Sequence, residues 1–285
     1  MAPTPTDLLT SWLRQRVSDE LRSWLDQALA DLPGKDFRQL QFSLALIARK
    51  LGKGALDLDA ADLAAADVAR TGWNPAAWSR EDAGRVLGLL VYAQGNADFG
   101  ETFQRLCQQA DLSELVSFYR GLPLYPLDAK INWQIGEGLR TSIQAVFEAI
   151  AHNSPLPAEH FDEHRWNHMV LKVLFIGSTL EPVMGLDTRR NAKLAATLSD
   201  HVHERWAAGR QVDLQVWRCL APFAGDGSLD DLQRLIGSDE PAERRAAALC
   251  LLESPHPRAA QMQTELAAEI AQARSGALTW NKLAA

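Results

Sequence analysis

The chain has 285 residues, a net charge of −7, 47% hydrophobic and 23% charged residues. A composition this ordinary supports a full core without metal or disulfide staples, so disorder and disulfide scaffolds are excluded. The acidic balance, with no Lys/Arg run, argues against a nucleic-acid partner, including one held on a basic concave helical-repeat surface.

In chain order, Met1 to Thr10 lacks a basic start followed by an apolar run, and the apolar stretch Val86 to Ala93 is too short to span a bilayer. These features predict a cytoplasmic protein with no transmembrane segment. Cys107, Cys219 and Cys250 are odd in number and lie in apolar contexts, which reads as reduced core thiols rather than a zinc site. Strand signals are nearly absent, whereas helix punctuation recurs. The fold class is therefore all-α.

Residues 1–56 read as an N-terminal helical pair, with Trp12 and Trp24 as packing residues. The boundary falls before Asp57 to Asp67, which reads either as a surface joining segment or as a short packed helix. Residues 57–285 read as one helical domain continuous with the first part. Ser79 to Asp82, Asp98 to Glu101 and Asp111 to Glu114 each place a carboxylate three residues after an oxygen-bearing N-cap, so three helices start there. Gly121 and Gly209 each follow a helical phrase and are expected to supply a left-handed C-terminal residue.

Leu139, Ile143, Val146, Phe147 and Ile150 form one apolar stripe at helical spacing, which predicts a single helix. On it, Arg140, Gln144, Glu148 and His152 make a polar stripe, either solvated or lining a groove. His152-Asn153-Ser154-Pro155 ends that helix and could form a pocket rim. His160, His164 and His168 recur every four residues; on one helix from Pro157 to Gly177, two could chelate a metal, with Asp200, His201, His203 or Glu204 contributed by the next helix. The opposing reading puts His160 before the helix proper, Asp162 at its start, and no metal.

From Arg190 to Ala208, the line Leu194, Leu198, Val202 and Trp206 is flanked by His201 and Arg205, two polar groups on a core face. Arg205 then needs a carboxylate or carbonyl partner, with Asp187, Glu148 and Asp162 as candidates. Alternatively Arg205, Arg189 or Lys172 meets an anionic ligand in a pocket walled by Trp166, Trp206 and Phe175. Pro241 opens a further helix, and Ser254-Pro255 breaks the chain before another. Residues 228–274 thus resemble HEAT-type helices, and the architecture expected is an irregular HEAT-like α-α superhelix.

Gly121-Leu-Pro-Leu-Tyr-Pro126, Phe147-Glu-Ala-Ile-Ala-His-Asn-Ser-Pro155, Phe161-Asp-Glu163, Trp166-Asn-His-Met-Val-Leu-Lys172, Gly185-Leu-Asp187 and His203-Glu-Arg-Trp-Ala-Ala-Gly-Arg210 together resemble the EboA family over residues 92–223. The resemblance implies a component of a bacterial gene cluster that also encodes prenyltransferase-like, sugar-phosphate cyclase-like and hydrolase-like proteins and that makes or exports a secondary metabolite. It brings no catalytic residues and no cofactor. Two functions follow. One is an accessory scaffold or carrier that binds a pathway protein or intermediate in a helical groove. The other is an enzyme acting on a phosphorylated, cyclitol-like or prenylated intermediate through Arg140, Asp162, Asn167, Asp187, Arg189 and Glu204. No Gly-x-Ser-x-Gly elbow, phosphate loop or Cys-x-x-Cys pair supports a familiar enzyme class.

Overall fold

The computed structural model describes residues 3–283, which fold into helices joined by short turns, with no strand among them; the isolated bridge Ala55–Ser79 is the single β-type pairing. The chain divides between His160 and Phe161 into two compact units. The first holds α1 (Pro5–Gln15), α2 (Asp19–Ala30), α3 (Phe37–Leu51), α4 (Ala60–Ala69), α5 (Arg80–Gln94), α6 (Phe99–Gln109), α7 (Leu112–Arg120), α8 (Ala129–Arg140), α9 (Gln144–Ala151) and α10 (Leu156–His160). The second holds α11 (Glu163–Phe175), α12 (Leu186–Arg189), α13 (Ala192–Ala207), α14 (Val216–Leu220), α15 (Asp226–Ile236), α16 (Pro241–Glu253), α17 (Pro257–Met262) and α18 (Ala267–Arg274).

In the first unit α5 is the central element. Every residue from Asp82 to Leu90 is buried, because α1, α3 and α7 pack around it. Gly84 and Gly88 put bare backbone against Leu51, Ile47 and Leu44 of α3, so the two helices approach more closely than a Cβ would allow. Alternate helices then follow one another, α3 on α5, α5 on α7 and α7 on α9, while α6 packs on α8. Asp57 to Asp67 resolves into α4, capped by Asp59 and held by the Trp12 indole, which donates to Asp62 at 2.7 Å. In the second unit α13 packs on α14, α14 on α16 and α16 on α18.

The capping boxes at Ser79/Asp82 and Asp111/Glu114 form as the spacing requires; Asp98 precedes α6 without a side-chain cap. Gly209 takes φ +64°, and the Arg210 and Gly209 amides donate to the Arg205 and Trp206 carbonyls, closing a Schellman turn.

Two local expectations need correction, and one open alternative is decided. Gly121 is not left-handed: its φ is −78°, and the chain enters a 3-10 turn, Leu122–Leu124. Glycine is required there because a Cβ would collide with the Tyr125 hydroxyl. The single helix through Leu139 and Ile143 is two helices, α8 and α9. Thr141 turns extended (φ −61°, ψ 149°), its hydroxyl accepts the Ile143 amide at 3.1 Å, and Ile143 is 50% exposed. Finally, of the two readings of the histidine stripe, the one with His160 before the helix proper and Asp162 at its start holds, and no helix runs from Pro157 to Gly177. The chain breaks at Phe161-Asp162, and the Asp162 carboxylate accepts the Arg165 amide as the cap of α11. His160 therefore ends α10, apart from His164 and His168.

Candidate functional site

A helix as apolar as α5 should not carry unpaired charge, since a buried ion without partners costs several kcal/mol. Asp82 and Arg85 are nevertheless 5% and 6% exposed. Their partners come from one turn back and from α7. Asp82 Oδ2 accepts from the Ser79 amide (2.9 Å), the Ser79 hydroxyl (2.7 Å) and Arg120 Nη1 (2.6 Å), while Oδ1 accepts from the Ser117 hydroxyl at 2.7 Å. Arg85 Nη1 donates to the Ser113 and Ser117 hydroxyls, both at 3.1 Å, and lies 3.5 Å from Glu81. Ser113 in turn donates to Glu81 at 3.1 Å. Two acids and two arginines thus compensate one another across the α5–α7 contact. Arg85 Nε has no partner within the described residues.

Arg120, the last residue of α7, carries this network outward with 31% of its side chain exposed. It lines a cleft of about 200 Å³ together with Asn74, Trp78, Glu148, His152 and Asn153. Each is placed by a turn or a helix end. Asn74 accepts the Ala76 amide, and Asn153 sits left-handed at φ +51° just past α9. The two amides meet at 3.4 Å, joining the loop before α5 to the end of α9. Glu148 accepts from Gln144 at 2.7 Å. The lining mixes a guanidinium, a carboxylate, two carboxamides and an imidazole against an indole. That set both donates and accepts hydrogen bonds without a large excess of either charge, and suits a small, neutral or weakly charged polar molecule.

The other site residues expected from the sequence are distributed differently. Arg140 is exposed at the end of α8 and pairs with Glu137. Glu148 is in the cleft, while Asp162, Trp166, Asn167, Lys172, Asp187, Arg189, His201, Glu204 and Arg205 belong to the second unit. There Arg189 lies 5.0 Å over the ring of buried Trp166 and donates to the Phe161 carbonyl at 2.7 Å. Asn167 exchanges amide hydrogen bonds with Asn191 at 2.8 and 3.1 Å.

Asp187 pairs with Arg218 and lies 3.8 Å from Arg190, and the Arg218 hydrogen bond holds its carboxyl below the usual carboxylate range. Arg205 finds a carbonyl instead of a carboxylate, donating to Gln211 at 2.9 Å. His201 packs edge-on to Phe175 at 5.3 Å; burial first, and Arg205 second, lower its pKa. Burial likewise lowers that of Lys172. Phe175 is 68% exposed. Glu204 is exposed near the end of α13. The His164 and His168 rings are 6.2 Å apart on exposed positions, and among the described residues no group of three or more metal-ligating side chains converges. The three thiols are buried, and burial raises the pKa of each, which withholds the nucleophilic thiolate at neutral pH.

The sequence model of a family described as "Metabolite traffic protein EboA" matches residues 5–221, three quarters of the chain. The protein belongs to the EboA family. The match extends well to the N-terminal side of residues 92–223, which carry the quoted motifs, so the whole Asp82–Arg120 network and the cleft lie inside the EboA segment. No curated protein and no solved structure matches the chain. Among the described residues, no helix is long and apolar enough to cross a membrane.

The sequence grouped Glu148 with residues that lie in the second unit and offered His152-Asn153-Ser154 as a helix end or a pocket rim; it singled out none of Asn74, Trp78 and Arg120 as site residues. One signal was present: Arg85 interrupts the run Ala83 to Leu90, and a charge in such a helix demands partners from elsewhere in the chain. The identity of the α7 partners, Ser113 and Ser117 at 28 and 32 residues away, is a tertiary fact.

Proposed function

We propose that this EboA-family protein is an accessory carrier in metabolite traffic, holding a small polar intermediate of its pathway in the cleft beside Arg120. The observation that carries this reading is a mixed donor–acceptor cleft built over a buried ionic network. Such a network fixes the cleft's guanidinium in place before any ligand arrives and so lowers the cost of ordering it on binding. The cleft's modest volume favours a ligand of sugar-like size or the polar end of a larger one. Membership of a metabolite traffic family is consistent with carriage, and the succession of alternate helices in each unit supports the helical-repeat reading. The partners are proteins or intermediates of the same biosynthetic cluster, and the compartment is the cytoplasm.

Native mass spectrometry of protein purified from its own host tests the reading. A carrier retains a stoichiometric small molecule that is lost in Asn74→Ala and Glu148→Gln variants of unchanged melting temperature. A bound molecule that is released chemically altered would support the enzyme reading instead. A protein that is empty as isolated, and whose cleft variants still capture another protein of the cluster, would replace the carrier with a scaffold.

A further inference from the structure

An acidic protein is expected to spread its basic residues among its acids, yet residues 35–53 hold Lys35, Arg38, Arg49, Lys50 and Lys53 against one acid, Asp36. Asp36 is occupied as the cap of α3, accepting the Gln39 amide at 2.9 Å. At 100° per residue, Arg38, Phe42, Ala45, Leu46 and Arg49 fall within about 100° of one another on the outer face of α3. The opposite face, Leu40, Leu44, Ile47 and Leu51, is buried. Phe42 is 70% exposed, equal to the most exposed of the large apolar side chains. Among the described residues Arg38 and Arg49 form no ion pair, unlike Arg14, Arg16 and Arg22 of the neighbouring helices, which are paired to acids. Lys50 turns aside, 4.8 Å over the Trp24 ring. The α3 face is thus a phenyl ring flanked along the helix by unneutralised guanidinium groups, with Lys35 and Lys53 at its two ends.

We propose that the outer face of α3 docks the protein on an anionic lipid surface. Arg38 lines a cleft with Asp36, Phe37, Gln41, Arg105 and Gln109, but Phe42 and Arg49 lie outside it, so the α3 face as a whole offers no groove for a peptide. It does fit a planar partner in which the ring enters the headgroup–acyl boundary while the basic groups meet lipid phosphates. Charge complementarity decides the lipid class: the remainder of the molecule is strongly acidic, so an anionic surface would hold it in one orientation, α3 inward.

The test is co-sedimentation of the full chain with vesicles of phosphatidylcholine alone or with 30% phosphatidylglycerol, at low and high salt. Each basic group near the surface contributes about 1 kcal/mol, or about fivefold. Binding to the anionic vesicles should therefore fall about twentyfold or more in R38E/R49E, be largely kept in R38K/R49K, and weaken severalfold in Phe42→Ser. All three positions are solvent-facing, so the variants should melt with the native protein. Equal binding to both vesicle types, no binding to either, or loss to a soluble poly-glutamate competitor without vesicle binding would overturn the proposal, the last in favour of an acidic protein partner.

Discussion

Arg120 and Asp82 carry the main energetic consequence at the scale of single residues. Asp82 is at once the reciprocal member of the α5 capping box, the acceptor for Ser117 and the counter-ion of Arg120. Removing one partner of a buried pair leaves the other uncompensated, at a cost of about 3–5 kcal/mol. Asp82→Ala should therefore destabilise the first unit by that amount in urea titration. Asp111→Ala, an exposed cap of the same kind on α7, should cost about 1 kcal/mol. Similar losses from the two would show that the network contributes nothing beyond helix capping.

The second residue-scale prediction concerns pH. His201 has a folded pKa below its ordinary 6.5, mainly because packing desolvates it, so the unfolded chain binds a proton that the folded chain refuses. Its contribution to stability is present above pH 6.5 and is lost as pH falls through the lower, folded value. Asp187, lowered from 3.8 by Arg218, contributes stability that is present above that value and lost at still lower pH. The melting temperature should thus fall in two stages on acidification, and His201→Gln should flatten the first. An unchanged slope between pH 7 and 5 in that variant would refute the assignment.

At the scale of elements, what was legible is what is local. The capping boxes at Ser79 and Asp111 and the turn at Gly209 are written within four or five neighbouring residues and formed where the spacing put them, whereas Asp98 and Gly121 carry the same local signals without the cap or the left-handed residue. The break between α8 and α9 was not legible, because Leu139, Ile143, Val146, Phe147 and Ile150 keep helical spacing straight through it. The determinant is one competing hydrogen bond, the Thr141 hydroxyl capturing the Ile143 amide. Hence Ile143→Ser should change stability by less than about 0.5 kcal/mol. A continuous helix burying Ile143 would demand a loss of several kcal/mol. The two glycines make a matching pair. Gly209→Ala meets nothing within 4 Å and carries only the left-handed penalty of about 1–2 kcal/mol. In Gly121→Ala the backbone is relaxed, but the methyl group drives into buried Tyr125 and costs about 1–3 kcal/mol, with a shift in tyrosine environment that Gly209→Ala lacks.

At the scale of the molecule, the EboA segment and the folding units end in different places. The match stops at residue 221, inside the second unit, whereas α14 is packed against α16. Val216, Trp217, Cys219 and Leu220 are all buried. Glu253 of α16 reaches back to Arg190 at 2.6 Å and accepts the Trp280 indole at 2.8 Å, so the residues beyond the EboA segment neutralise an arginine that is only 16% exposed. Removing them would expose an apolar helix face and take from Arg190 its shorter ion pair, leaving Asp187 at 3.8 Å, two losses that a short remnant of α11 to α14 has little core to offset. A chain ending at residue 221 should therefore keep the cooperative unfolding and slow amide exchange of residues 5–160 while residues 161–221 exchange freely, and Trp217 fluorescence should shift to the red. Persistent protection across α11, α13 and α14 in that truncation would mean that the EboA segment folds without its C-terminal helices. The ion pair at Glu253 would then be an accessory rather than a requirement.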